Sequence, residues 1–148
     1  MKFEKTVTVK APREAVWKFL WDVPRVAACL PGCKGAQVVE EGKRYTAVVG
    51  ERVGPFKVEF PLSIEVLESR PPEYLKARAG GKDAKVDGLV KVELDLYLVE
   101  AGEDTEMRVT TDVAILGKLG TLGHSVIVRK GDEVVAKFAE ALRAHLES

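Results

Sequence analysis

The stretch KLGTLGHSVIVRKGDEVVAKFAEALRAHL, residues 118–146, decides the fold because it is the one segment long and periodic enough to form a major helix. Apolar or small residues recur along it every three or four positions, and charged residues occupy the opposite side. This pattern is typical of a helix with one buried face. We therefore predict a long helix that packs against a second layer of structure. Its buried face would comprise Ile127, Gly131, Val134, Val135, Phe138 and Leu142.

The second layer is predicted to be an antiparallel sheet. Every second residue from Val86 to Leu98, except Gly88, is apolar, as expected for a strand with one buried face. Turn residues, mostly Gly and Pro, separate most of the strands, so consecutive strands should pair as neighbours. The predicted strands cover residues 3–9, 35–41, 43–53, 56–68, 73–80, 84–100 and 104–116.

Two short helices are predicted between the first and second strands. One follows Pro12 and runs to about Trp21, and the other covers residues 24–29. The expected fold class is therefore α+β, with a curved, seven-stranded antiparallel sheet around a long C-terminal helix. The length suits a single domain that spans residues 1–148.

The composition argues against two classes of partner. The chain carries 23 Lys and Arg against 23 Asp and Glu, so its formal net charge is zero and no basic surface for nucleic acid is expected. No apolar run approaches the roughly 18 residues that a membrane-spanning helix needs. No signal peptide pattern begins the chain. We expect a cytoplasmic protein.

An apolar cavity is the predicted functional site. Gly131, Ala136, Ala139 and Ala141 give the long helix few bulky side chains, so it should not fill the space enclosed by the curved sheet. The alternative is that the strands collapse onto the helix and leave only packing defects. The residues expected to contact a ligand are Trp17, Leu20, Trp21, Leu30, Phe56, Phe60, Leu94, Val109, Val113, Leu119, Leu122, Ile127, Val134 and Phe138.

A lid for this cavity is predicted at the start of the long helix. In the run GKLGTLG (117–123), glycine stands at every third position, which gives the backbone freedom to move and leaves leucines between the glycines. The alternative is that glycine is needed there for a tight strand-to-helix turn. The predicted lid residues are Pro31, Gly32, Cys33, Gly117, Gly120 and Gly123.

Few residues are suited to catalysis or metal binding. Cys29 and Cys33 supply at most half of a zinc site, and whether they form a disulfide or only pack beside a turn is open. Glu51 and Asp112 lie within apolar strands, where an inward carboxylate would bind a ligand, but an outward position is favoured. His145 suits the negative end of the helix dipole better than catalysis. We predict no catalytic residue and no metal site.

Four segments carry a resemblance to a known family. They are VWKFL (16–20), AACLPGC (27–33), VGPF (53–56) and GKLGTLG (117–123), and together they extend over much of the chain. With these segments the sequence resembles the carbon monoxide dehydrogenase CoxG family, which is part of the START/Bet v 1-like (SRPBCC) superfamily. The resemblance implies a helix-grip fold, in which seven strands grip a C-terminal helix after two short helices.

The resemblance also implies a function. Such proteins are non-catalytic accessories of carbon monoxide dehydrogenase-type molybdenum hydroxylases and assist their recruitment to the membrane. Their cavity suits a lipophilic ligand such as a quinone or a lipid, and no covalently bound cofactor is expected. The alternative is a small enzyme, similar to a polyketide cyclase or a hydrolase, that uses the same cavity.

Membrane contact is expected to be peripheral at most, on the inner face. Many members of the family carry a C-terminal tail that reaches the membrane, whereas this sequence stops at Ser148, directly after the long helix. Neither an apolar tail nor a polybasic segment is present to anchor the protein stably. The identity of the ligand, the partner complex and the oligomeric state stay open.

Overall fold

The computed structural model describes residues 2–83, 85 and 88–147. Ala84 and Val86, at the predicted start of the sixth strand, and Ser148 lie outside the described residues. The described elements, in chain order, are β1 (Lys2–Val9), α1 (Arg13–Leu20), α2 (Val23–Cys29), β2 (Cys33–Glu40), β3 (Arg44–Val53), β4 (Phe56–Arg70), β5 (Tyr74–Asp83), β6 (Gly88–Ala101), β7 (Asp104–Gly117), a 3-10 turn (Lys118–Leu122) and α3 (His124–Leu146).

The seven described strands form one antiparallel sheet in the order β1-β7-β6-β5-β4-β3-β2. From β2 to β7, each strand pairs with the next strand along the chain, while β1 pairs with β7. The predicted α+β architecture, with two short helices after the first strand and a long helix at the end, is confirmed.

Local sequence explains how the two short helices begin and end. α1 follows Pro12, and Pro24 lies in the first turn of α2, where a residue without an amide hydrogen loses no helical hydrogen bond. The Asp22 side chain accepts a hydrogen bond from the Arg25 amide and so caps α2. Leu30 adopts an extended conformation and ends α2, so a short turn leads into β2.

The long helix begins later than predicted. α3 starts at His124 and not near residue 118, because Gly117 and Gly123 adopt φ values of 77° and 91° that an α-helix does not allow. The residues between these two glycines form the 3-10 turn. The predicted apolar face of α3 does turn inward, and Ile127 and Leu142 on it are buried.

Among the described residues, two apolar clusters make up the core. The larger joins α1 and α3 to strands β1, β6 and β7. The smaller packs Leu119 of the 3-10 turn against Val58 and Phe60 of β4. The side chains of the larger cluster that are fully buried are Val9, Val16, Leu98 and Leu142.

The open space between α3 and the sheet does not lie beside the small residues of α3. A Cβ atom on Gly131 would lie 3.2 Å from the ring of Phe3, so β1 already fills that position. Ala139 is buried in the larger cluster and Ala136 is exposed to solvent. The open space under α3 lies instead beside its central residues, including Val134.

Candidate ligand-binding cavity

A cavity of about 360 Å³ lies between α3, the two short helices and the inner face of the sheet. Its described lining is apolar except for the side chains of Cys33, Tyr45 and Thr111 and the indole N–H group of Trp21. The helices and the turn after α2 contribute Leu20, Trp21, Val23, Val26, Ala27, Leu30, Val134, Val135 and Phe138.

Strand alternation turns a row of larger side chains into this cavity. Leu94 of β6 lies opposite Thr111 of β7, and Leu96 lies opposite Val109, so these two strands form a continuous floor. Val7 of β1 and Met107 of β7 extend that floor toward the larger core cluster.

The space itself is created by small side chains on the sheet. Ala36 of β2 lies opposite Ala47 of β3, and Ala77 of β5 lies opposite Leu94 of β6. All three alanines line the cavity and fill much less of it than their larger neighbours do. The sequence analysis missed them, although alanine at an inward position of an alternating strand is a usable signal for such a gap.

The polar groups of the lining differ in their hydrogen bonding. The Tyr45 hydroxyl accepts a hydrogen bond of 2.8 Å from the Gly42 amide. The Cys33 thiol lies 3.7 Å from the Gly35 carbonyl oxygen, to which it donates a weak hydrogen bond. Within the described part of the chain, the half-buried Thr111 side chain makes no hydrogen bond.

Half of the residues predicted to contact a ligand lie around this one cavity. They come from α1 and its C-terminal cap, from the α2–β2 turn, from the inner face of β6 and β7 and from the middle of α3, and so they converge only in three dimensions. These residues are Leu20, Trp21, Leu30, Leu94, Val109, Val134 and Phe138.

The other half lie outside the cavity lining. Phe60 and Leu119 are buried in the smaller cluster, with Phe56 and Leu122 packed against it, because the 3-10 turn covers that end of the sheet. Trp17 packs on the larger cluster, with its ring 5.8 Å from that of Trp21. The remaining two are the buried Ile127 and the half-buried Val113.

Of the six residues predicted to form the lid, only Cys33 lines the cavity. A Cβ atom on Gly120 would lie 2.8 Å from the carbonyl oxygen of Ile115, so a side chain does not fit at this position. Gly117 and Gly123 have positive φ and flank the turn that inserts Leu119 into the smaller cluster. This geometry fits the alternative in which these glycines form a tight turn.

The α2–β2 turn, which contains Pro31 and Gly32, is held against β3. The Gly32 carbonyl accepts a hydrogen bond of 2.8 Å from the Gly50 amide. With φ at 78°, a Cβ atom on Gly32 would lie 1.9 Å from the Gly50 carbonyl oxygen. Only glycine therefore fits at this point of the turn.

Glu51 forms an ion pair with Lys130 of α3 next to this turn. The two side chains are 22% and 18% exposed, so the pair is largely shielded from solvent. Burial alone lowers the pKa of Lys130, but its hydrogen bond to Glu51 and the charges of Glu51 and Glu133 outweigh this effect and raise the pKa. Glu51 thus joins β3 to α3.

Two further carboxylates, Asp112 and Asp83, lie outside the cavity lining. Asp112 is exposed to solvent. Asp83, which the sequence analysis did not single out, is only 4% exposed and accepts hydrogen bonds of 2.6 and 2.8 Å from the amides of Glu59 and Lys85. These bonds fix the chain where β5 ends. His145 is exposed, with its ring 5.5 Å from that of Phe19.

In the described part of the chain, Cys29 and Cys33 form no crosslink. Cys29 is buried and Cys33 half-buried, and both thiols are free. Burial raises the pKa of the Cys29 thiol. Within residues 2–83, 85 and 88–147, no three His, Cys, Asp or Glu side chains are grouped so that they could hold a metal ion. No described helix has the length and apolar character needed to cross a bilayer.

The sequence matches the CoxG family of carbon monoxide dehydrogenase subunits over residues 6–147. No curated protein matches the sequence. Among solved structures, a conserved protein from Geobacillus kaustophilus is similar, with 22% identity and a TM-score of 0.91 over 99% of this chain and 95% of that one.

Two further solved structures are similar at lower identity. A START superfamily protein from Mycobacterium smegmatis is 17% identical, with a TM-score of 0.73 over 99% of this chain and 97% of that one. The Zhui aromatase/cyclase from a Streptomyces species is also 17% identical, with a TM-score of 0.75 over 99% and 93% of the two chains.

At these identities the structural likeness establishes the fold. The protein has the helix-grip fold of the START/Bet v 1-like class. Because the family match covers nearly the whole sequence, the chain belongs to the carbon monoxide dehydrogenase CoxG family.

Proposed function

We propose that this protein is a non-catalytic carrier that holds one small lipophilic molecule, such as the ring system of a quinone, in its cavity. The apolar lining is the observation that carries this proposal, because nineteen of the 23 lining side chains have no hydrogen-bonding N–H or O–H group and no thiol. Burial of apolar ligand surface against such a lining supplies the binding free energy, at roughly 25 cal/mol per Å².

The size of the cavity supports a ligand with a small buried part. A volume of about 360 Å³ is near the lower limit of the roughly 300–1,000 Å³ that is usual for small-molecule sites. One or two fused rings would fit inside, whereas a long isoprenoid or acyl tail would have to extend out of the cavity. A quinone bound in this way would bury its ring and leave its tail in contact with the protein surface or a membrane.

Family membership supports a proposal about the partner of this protein and about its location. We infer that the protein serves a carbon monoxide dehydrogenase-type molybdenum hydroxylase as an accessory protein, and that it works in the cytoplasm with peripheral contact to the inner face of the membrane. In that setting a lipophilic carrier would pass a ligand between the bilayer and the hydroxylase.

A small cyclase-like or hydrolase-like enzyme is the second candidate, favoured by the structural likeness to the Zhui aromatase/cyclase. General acid–base catalysis requires a titratable group placed at the reacting atom. In the described lining, Cys33 and Tyr45 are the side chains that could supply a proton, and no carboxylate or imidazole lies there to act as a base. This arrangement supports the carrier more than the enzyme.

Native mass spectrometry after incubation with vesicles tests the proposal. Vesicles of phospholipid with and without a quinone would be offered to the protein and to an Ala77→Phe variant, whose new ring would occupy the cavity. Ala114→Phe, at an exposed position of β7, is the matched control. We expect one bound quinone per chain in the wild type and the control and none in Ala77→Phe.

The result against the carrier would be equal loading of all three proteins, or of none. Turnover of a small aromatic ester or polyketide by the wild type, abolished by Ala77→Phe and by Cys33→Ala, would favour the enzyme. Mixing the loaded protein with a purified hydroxylase of the carbon monoxide dehydrogenase type, followed by gel filtration, tests the partnership separately.

A further inference from the structure

The polar side chains of the described cavity lining differ in the hydrogen bonds that they already make. Tyr45 bonds to the β2–β3 turn through the Gly42 amide, and Cys33 bonds to the Gly35 carbonyl. Thr111 lines the cavity but makes no hydrogen bond with its side chain among the residues that the structure describes. Its hydroxyl group is therefore free to bond with whatever occupies the cavity.

The residues directly opposite Thr111 on the two neighbouring strands are apolar. Thr111 lies opposite Phe3 of β1 and Leu94 of β6, and the inward position before it on β7 is Val109. A hydroxyl group without a partner beside apolar side chains is unfavourable when water is excluded. Valine has nearly the same shape and a high preference for strands, so packing alone does not require threonine here.

The geometry points to Thr111 as the polar anchor of the ligand, donating a hydrogen bond to a carbonyl oxygen or exchanging one with a hydroxyl group. This inference rests on the proposed carrier function and narrows its ligand class. The ligand would be an apolar ring or chain compound that carries an oxygen on the part buried in the cavity, and a pure hydrocarbon would bind without this bond. A quinone ring, with its two carbonyl groups, satisfies this condition.

Paired probes can separate the hydrogen bond from apolar burial. The probes are 2-methyl-1,4-naphthoquinone and 2-methylnaphthalene, which share a two-ring body and differ in the two carbonyl oxygens. Binding of each would be measured by equilibrium dialysis to the wild type, to Thr111→Val and to Thr111→Ser. Thr110→Val is the matched control, because alternation places Thr110 on the outer face of the same strand.

We expect Thr111→Val to bind the naphthoquinone roughly three- to tenfold more weakly, as the loss of one neutral hydrogen bond predicts. It should bind methylnaphthalene as well as the wild type does. Thr111→Ser should restore most of the quinone affinity, and Thr110→Val should change neither.

Other outcomes overturn the inference in distinguishable ways. If the wild type binds both probes and Thr111→Val binds both unchanged, or loses both to the same extent, Thr111 is not a polar anchor although the carrier proposal stands. If neither probe binds to the wild type, the carrier proposal fails and the anchor fails with it.

Discussion

At the scale of single residues, Tyr74 shows how the outer face of the sheet is held together. Its hydroxyl donates a hydrogen bond of 2.5 Å to Asp95, and its ring packs 4.8 Å from that of Tyr97. The guanidinium group of Arg70 lies 4.6 Å from the centre of the Tyr74 ring. The Tyr74 side chain is 7% exposed and joins β4, β5 and β6 on the side opposite the cavity.

The hydrogen bond from Tyr74 to Asp95 predicts a loss of folding stability at high pH. The hydrogen bond to Asp95, with burial and the Asp95 charge, raises the pKa of Tyr74 from 10.0 to about 12. Below about pH 10 the phenol is neutral in the folded and unfolded chains, so its contribution is fully present. Between pH 10 and 12 the unfolded chain loses the proton first, and stability falls as pH rises.

Urea unfolding of the wild type and Tyr74→Phe at pH 8 and pH 11 checks this prediction. At pH 8 we expect Tyr74→Phe to be less stable by about 1 kcal/mol, because Asp95 loses a hydrogen bond. At pH 11 the difference should shrink. A difference that stays constant or grows with pH would contradict the role given to Tyr74.

At the scale of secondary-structure elements, the ion pair between Glu51 and Lys130 links β3 to α3. Lys130 lies one helical turn before Val134, which lines the cavity, and Glu51 lies beside the α2–β2 turn. Movement of α3 away from β3 would have to break this pair. If ligands reach the cavity by that movement, the pair contributes to the barrier.

Replacing Lys130 by Met tests this role of the ion pair. We expect the association and dissociation rates of an apolar fluorescent probe to rise together, with little change in affinity, because the pair does not touch the ligand. The unfolding free energy should fall by about 1–2 kcal/mol, since Glu51 is left half-buried without its partner. Stopped-flow fluorescence measures the rates.

Lys137→Met is the matched control, because among the described residues Lys137 bonds only within α3, to Glu133 at 3.0 Å. It should leave both probe rates unchanged. Unaltered rates in a folded Lys130→Met variant would show that the ligand reaches the cavity by another path.

At the scale of the whole molecule, periodicity was enough to predict the architecture. The alternation along the strands and the apolar face of α3 each require a partner layer, and one sheet against one helix satisfies both. The start of α3 was not predictable in the same way. It depends on the positive φ of Gly123, which a helical pattern of apolar residues does not reveal.

The candidate site was harder to predict than the fold. Leu94 and Val109 could be placed in it because alternation fixes the face on which they lie. Leu119 could not be excluded from it, since its place in the smaller cluster depends on how the 3-10 turn folds back on β4. Alternation marks Ala47 and Ala77 as inward positions, but only the register of the strands shows that both face the same gap.

The most direct test of the central claim is to locate a bound apolar ligand by nuclear Overhauser effects. The protein would be labelled at Leu and Val methyl groups and mixed with 2-methyl-1,4-naphthoquinone. We predict contacts from the ring protons to Leu94, Val109 and Val134, which line the cavity. Contacts confined to Val58 and Leu119 of the smaller cluster, or to no methyl group at all, would contradict the claim.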